Sequence, residues 1–230
     1  MFNIFIKSKN IEILSFHGIN SSINSKLEQN LKSTISNILK NKNKNNLKFN
    51  YSQNLLYGHA PNQTQMTPDT TFLKMINKSI LDLSLFNEKK AKKKILVASS
   101  TGAYLVLNWL QQNPKNKIDL ILLFKPVIDV EYSLQFFIKA NPNLANQINF
   151  DEFKLSNKKI WGSKKLPFKL NPKNKILLFC GKKDNIVGNK YFMEKRIFGN
   201  INFFESENSR HNFQTEKEYL EFENLIKNNL

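Results

Sequence analysis

The stretch KILVASSTGA, Lys94 to Ala103, joins two unlike patterns. An apolar run of strand type, KILVA, stops in two serines, a threonine and a glycine. YLVLNWL, Tyr104 to Leu110, then resumes with helical spacing. Strand, tight polar corner, helix is the layout of a nucleophile elbow, in which a serine rides on a sharp turn with its hydroxyl clear of the sheet. The same ten residues also suit an ordinary strand-to-helix loop in which Ser or Thr caps the next helix. The segments on either side of the corner decide between these readings.

Outward from the corner, strands and helices alternate. IEILSF (Ile11 to Phe16), LKFNYSQ (Leu47 to Gln53), IDLILLF (Ile118 to Phe124), KILLFCG (Lys175 to Gly181) and INFFES (Ile201 to Ser206) read as strands. FNIFIK, ahead of the turn SKN, reads as a hairpin partner for the first of them. Helical spacing predicts helices over Asn24 to Lys40, Thr71 to Glu88, the elbow helix up to Pro114, KYFMEKR, and Glu216 to Lys227. NKNKNN (Asn41 to Asn46) and the long segment Asn54 to Thr70 read as loops, the second long enough to bind a ligand. Tyr132 to Lys169 reads as irregular and partly helical. The pattern predicts an α/β fold: a mostly parallel central sheet with helices on both faces. It is read as one domain over residues 1–230, with a small cap insertion at about 130–170.

Composition excludes several classes. The chain has 230 residues and 40% hydrophobic residues, enough for a sizeable core. No apolar run approaches the roughly 20 residues a membrane-spanning helix requires. The N-terminus MFNIFIKSKN lacks the charge order of a secretory signal. A cytoplasmic protein is expected, and the lone Cys180, inside an apolar strand, reads as a buried structural thiol. Thirty-five Lys and Arg against eighteen Asp and Glu give a net charge of +17. The lysines are scattered among asparagines without an aromatic-interleaved stripe, so nucleic acid is not the expected partner. An acidic carrier protein, such as an acyl carrier, is left open by that charge.

In an open α/β sheet the functional loops lie at the carboxyl ends of the strands. Four such ends carry chemistry here. HGIN (His17 to Asn20) follows the first strand, Ser99–Gly102 the elbow strand, KKDNIV with Asp184 the strand KILLFCG, and ENSRHNF with His211 the strand INFFES. The order Ser, Asp, His is that of the α/β-hydrolase triad. A serine hydroxyl needs an adjacent base, a histidine can take and return the proton near neutral pH, and a carboxylate holds the imidazole in the right tautomer. Ser100 is the candidate nucleophile because Ala98 and Gly102 then take the small flanking positions. Ser99 is the competitor, with Val97 and Thr101 in those places. Asp184 is the candidate acid, with Asp129 as the alternative, and His211 the candidate base. His17 reads as a loop-shaping residue and His59 as a loop histidine at the substrate mouth. Thr101 and Ile19 are the candidate oxyanion donors through their main-chain N–H groups. Tyr57, His59, Phe136, Phe137 and Trp161 are candidates for the acyl pocket, with core packing as the competing role of the aromatics. No metal site is expected.

LSFHGINSSINSKLEQNLKSTI, LVASSTGAYLVLNWL, LLLFKPVID, GKKDNIV and RHNF together resemble the YqiA/YcfP-like small esterases of the α/β-hydrolase superfamily. In that group a first strand runs into H-G-F-N-S-S, the elbow reads G-S-S-L-G-G-Y, a later strand ends in N-P, and the base sits in N-H-A-F. Here Ala98 and Ala103 stand in place of elbow glycines, and Lys125 replaces the Asn before Pro126. The resemblance implies an α/β-hydrolase fold and a serine esterase acting on short acyl esters; small acyl thioesters are expected as substrates as well. Ser100 would be its nucleophile, Asp184 its acid and His211 its base, with no metal and no organic cofactor. The N-terminal hairpin, NKNKNN and a differently shaped cap over Phe150 to Leu170 are departures, so substrate preference does not carry over. Two rival functions remain: a thioesterase or methyl-esterase acting on a carrier-bound substrate, and a hydrolase fold kept as a non-catalytic binding protein.

Overall fold

The structure is a computed structural model that describes residues 10–18, 24–42, 48–54, 72–140, 142, 150–161, 167–211 and 215–229. The elements follow in order as β1 (Ile11–Phe16), α1 (Lys26–Lys42), β2 (Phe49–Gln53), α2 (Phe72–Glu88), β3 (Lys93–Ser99), α3 (Ser100–Gln112), β4 (Leu120–Phe124), α4 (Val130–Ala140), α5 (Phe150–Trp161), β5 (Phe168–Lys169), β6 (Lys175–Gly181), α6 (Lys190–Glu194), β7 (Ile197–Phe198), β8 (Ile201–Ser206) and α7 (Glu216–Asn229). Six strands form one sheet in the order β2-β1-β3-β4-β6-β8. Every pairing in it is parallel. β5 and β7 make a separate two-stranded parallel pair.

The central strands β1, β3, β4 and β6 are buried on both faces, which is why most of them read as continuous apolar runs, whereas the edge strands β2 and β8 alternate between half-buried and exposed positions. Their side chains nevertheless divide by period two. Leu14, Phe16, Leu96, Ala98, Ile121, Leu123, Ile176 and Leu178 join one core with α2 and α3 side chains such as Phe72, Leu83, Val106 and Trp109. Ile11, Ile13, Ile95, Val97, Leu122, Phe124, Leu177 and Phe179 join the other with Leu31, Ile35 and Ile38 of α1 and Phe222, Leu225 and Ile226 of α7. At roughly 1.5–3 kcal/mol for each large side chain fully buried, these two layers are what hold the strand ends in register. The sheet with helices on both faces is the α/β-hydrolase arrangement expected from the chain. Among the described residues no helix is long and apolar enough to cross a membrane.

Three expectations are revised or left aside. Tyr132 to Lys169, read as irregular and partly helical, carries most of α4 and the whole of α5. α5 lies against α2, where the Glu152 carboxylate accepts from the Phe72 N–H at 2.9 Å. The helix read over KYFMEKR stops at Glu194 and gives way to β7. The hairpin strand FNIFIK, the loop NKNKNN beyond Lys42 and most of Asn54 to Thr70 lie outside the described residues.

Candidate active site

Ser100 is the first residue of α3 and has φ +47°, the left-handed region that L residues enter at a cost. Ser99, the last residue of β3, is extended at φ −120°, ψ 146°. The corner is therefore as sharp as an elbow requires, and the strain falls on one serine. Close packing sustains it. A Cβ on Gly102 would stand 2.5 Å from the His17 carbonyl oxygen and 2.8 Å from the Phe16 carbonyl carbon, so only glycine lets α3 start directly against the end of β1. A Cβ on Gly18 would lie 2.8 Å from the Ser100 Cβ, so the loop after β1 brushes the candidate nucleophile.

The two serines have opposite surroundings. Ser99 is buried, and its hydroxyl donates to Glu28 Oε1 of α1 at 2.8 Å. Burial pushes the Glu28 carboxyl up to about 7, against the opposing pull of that hydrogen bond. Because the Ser99 hydroxyl serves Glu28, it does not cap α3. The N–H groups of the first turn, Thr101 among them, keep the open donor capacity of a helix start. Ser100 instead faces the far ends of β6 and β8. Its Oγ is 3.1 Å from His211 Nε2. His211 Nδ1 is 3.1 Å from Asp184 Oδ2. The tautomer that satisfies both contacts carries its proton on Nδ1 toward the carboxylate and leaves Nε2 to accept from the Ser100 hydroxyl.

Asp184 is buried and held from the other side, where Oδ1 accepts from the N–H groups of Ile186 at 3.0 Å and Val187 at 3.1 Å. Asp129, the alternative acid, is engaged elsewhere. It accepts from the Tyr132 N–H at the start of α4 and lies 3.7 Å from Arg196 Nε. His17 is buried, with Nδ1 2.8 Å from the Gly18 carbonyl oxygen. Its ring donates there, and burial holds its basicity below the usual histidine range. That is a loop-shaping role. The Cys180 thiol is buried and pushed up to about 12, which suits packing and not nucleophilic chemistry.

Of the pocket candidates, Phe136 is half-buried on α4, its ring 4.9 Å from that of Tyr132. Tyr132 in turn lies 4.3 Å from Phe192 of α6. Burial and then the Asp184 charge raise the Tyr132 phenol. Phe137 and Trp161 fall in α4 and α5, with side chains outside what is described. Tyr57, His59 and Ile19 lie outside the described residues. The sequence reading missed Tyr132, Phe192, Arg196 and Glu28. Only the four-residue step from Tyr132 to Phe136 on one helix face was there to find.

Comparison by sequence found no family model and no curated protein that matches the chain. Among solved structures, the chain is similar to the alpha/beta hydrolase domain-containing protein 10 from mouse, with TM-score 0.67 and 15% identity over 94% of this chain and 88% of that one. It is also similar to an esterase from Pyrococcus furiosus, with TM-score 0.58 and 13% identity over 94% of this chain and 80% of that one. A third is the RedJ thioesterase of the prodiginine biosynthetic pathway in Streptomyces coelicolor, with TM-score 0.57 and 8% identity over 96% and 85%. At these identities the likeness is one of fold.

Proposed function

We propose that the chain is a serine hydrolase of carboxylic esters or thioesters, working as one domain. The observation that carries this reading is the continuous contact from Ser100 Oγ through both nitrogens of His211 to Asp184, at 3.1 Å and 3.1 Å. It starts from a serine held in a left-handed turn at a helix start. In the proposed reaction Ser100 Oγ attacks the acyl carbonyl carbon while its proton passes to His211 Nε2. Asp184 accepts from Nδ1–H and stabilises the imidazolium. The carbonyl oxygen becomes an anion and is received by the N–H of Thr101 and, from the loop after β1, that of Ile19. Collapse of the tetrahedral adduct breaks the bond to the alcohol or thiol, which leaves with the proton from Nε2. Water then gives a proton to His211 and attacks the acyl-enzyme, the acid departs, and Ser100 regains its proton. Tyr57, His59, Phe136, Phe137 and Trp161 belong to the acyl pocket in this reading, and Tyr132 and Phe192 extend it.

A second reading concerns the substrate. The net charge of +17 favours an acyl group presented by an acidic carrier protein. One experiment addresses both. Turnover is measured on p-nitrophenyl esters of increasing chain length, a small acyl thioester and a thioester on an acyl carrier protein, with wild type and Ser100→Ala. Hydrolysis that falls by about 10³-fold or more in the variant is expected; equal rates in the two proteins would sink the proposal. The carrier reading predicts a KM that rises with salt for the carrier substrate alone. A KM independent of salt would remove it.

A further inference from the structure

β4 runs between the strand that delivers Ser100 and the strand that delivers Asp184, yet its own carboxyl end supplies nothing to the relay. The turn that follows it touches both halves. Lys125 has φ +42°, a second left-handed residue that carries a Cβ. Its N–H donates to the Phe179 carbonyl of β6 at 2.7 Å. Two residues on, the Val127 N–H donates to the carbonyl of Ser100 at 3.0 Å. The Lys125 side chain is 3% exposed and runs the other way, where Nζ donates to the carbonyl of Arg210, the residue before His211. Nζ also stands 3.7 Å from a carboxylate oxygen of Glu218 on α7, itself 5% exposed. Glu218 in turn accepts from the N–H of Thr215 at 2.9 Å and from its hydroxyl at 3.1 Å.

The rest of the loop before His211 is anchored upstream of this point. Ser209 is fully buried, and its carbonyl accepts from the Lys183 N–H at 3.2 Å. It presses so closely on Gly181 that a Cβ there would meet the Ser209 carbonyl oxygen at 2.2 Å. The peptide that enters the histidine is the next one, and a buried ammonium holds its oxygen. Such an ammonium is tolerable only with a counter-ion and acceptors, and here it has both.

We infer that Lys125, with Glu218 as its counter-ion, is a positioning residue that pins the Arg210 carbonyl and so keeps His211 at hydrogen-bond distance from Ser100. The inference rests on the proposed hydrolase reading for its kinetic consequences, though not for its structural ones. The β4 turn then acts as a cross-brace, with the nucleophile's carbonyl at one end and the base's loop at the other.

The charges facing Lys125 are Glu218 from α7 and Asp184 from the turn after β6, with the Cys180 thiol on β6. Burial brings the ammonium down to about 8 against the upward pull of the two carboxylates. Above that pH the amine is neutral and the charge-assisted hold on Arg210 is lost, so turnover falls. Stability moves the other way. Between about 8 and the ordinary lysine value near 10.4, the unfolded chain binds more protons at this group than the folded chain does. Its contribution to folding stability therefore rises with pH. Opposite slopes of activity and stability are a signature that a purely structural lysine does not give.

The test compares wild type with Lys125→Met and with Lys125→Met/Glu218→Leu, in which no buried charge is orphaned. The readouts are kcat and KM on a p-nitrophenyl ester from pH 6 to 10, thermal unfolding, and the far-downfield Nδ1–H resonance of His211 by proton NMR. In both variants we expect kcat lower by about 10- to 100-fold with KM within about threefold, as for a misplaced catalytic group. The alkaline fall near pH 8 should disappear and the His211 resonance should broaden. A folded variant that keeps the wild-type kcat, alkaline limb and resonance would overturn the inference. If the wild type turned over no ester, the hydrolase reading would fall and the resonance alone would decide: loss in the variants supports the brace, persistence overturns it.

Discussion

Two buried ionisable groups flank the relay, and they are built in opposite ways. Under the elbow, the Glu28 carboxyl accepts from the Ser99 hydroxyl, and burial has pushed it up to about 7. Under the base loop, Lys125 has a carboxylate beside it and a main-chain carbonyl to hold, and burial has pushed it down to about 8. The elbow is shaped by covalent geometry and by contacts at Gly18 and Gly102 that leave no room for a side chain. Its nearby carboxyl is incidental to that shape. The loop that carries His211 arrives from the far end of β8, and among the described residues its close steric contact falls at Ser209 rather than at the histidine, which leaves the Lys125 charge to do the positioning we infer. In the proposed hydrolase, packing would place the nucleophile on its strand–helix corner and a tether would place the base on its loop.

Three substitutions sharpen that contrast. The largest effect belongs to Asp184→Asn, which leaves the packing intact but spoils the imidazole tautomer. We expect kcat to drop by about 10³- to 10⁴-fold with a near-normal unfolding transition; a drop under about tenfold would mean that His211 is oriented by other means. Next comes Gly102→Ala. The added methyl meets backbone at His17 and Phe16, so the corner must open. Overpacking of this kind costs about 1–3 kcal/mol, and a displaced nucleophile about 10- to 100-fold in turnover. Unchanged stability by denaturant titration would contradict the steric account of the elbow.

The smallest effect on turnover is expected from Glu28→Gln, within about threefold, and its interest lies in stability. The Glu28 carboxyl binds its proton more tightly folded than unfolded, so wild-type stability falls as pH rises from about 4.5 to 7. Gln keeps an acceptor for Ser99 and never ionises. The variant should match wild type near pH 4.5 and become more stable by up to about 3 kcal/mol at pH 7 and above. A pH-independent difference would mean that Glu28 is not strained by its burial.

Much of this was legible from residue order. Ser100, Asp184 and His211 each follow a strand whose apolar run can be read directly, and small residues mark the corner. The small flanking positions favour Ser100 over Ser99, and the structure gives the two serines opposite surroundings, Glu28 for the one and His211 for the other. The helices α4 and α5 were underread. Asp151 and Glu152 in the first turn of α5 and Lys158 and Lys159 in its last complement a helix dipole, a sequence signal for that helix. Strands of two residues, β5 and β7, carry no periodicity at all. The Lys125 tether could not be read, because its partners Arg210 and Glu218 are 85 or more residues away and no local pattern links them. In sequence it is only a lysine standing where a family pattern has asparagine.

The central claim is that Ser100 is an activated nucleophile, and a fluorophosphonate probe tests it most directly. Purified protein is treated with the probe, weighed intact and mapped by peptide mass, with Ser100→Ala as control. One adduct is expected, on Ser100 and absent from the variant. A folded wild-type protein that takes up no probe, or takes it up at another residue, would contradict the claim.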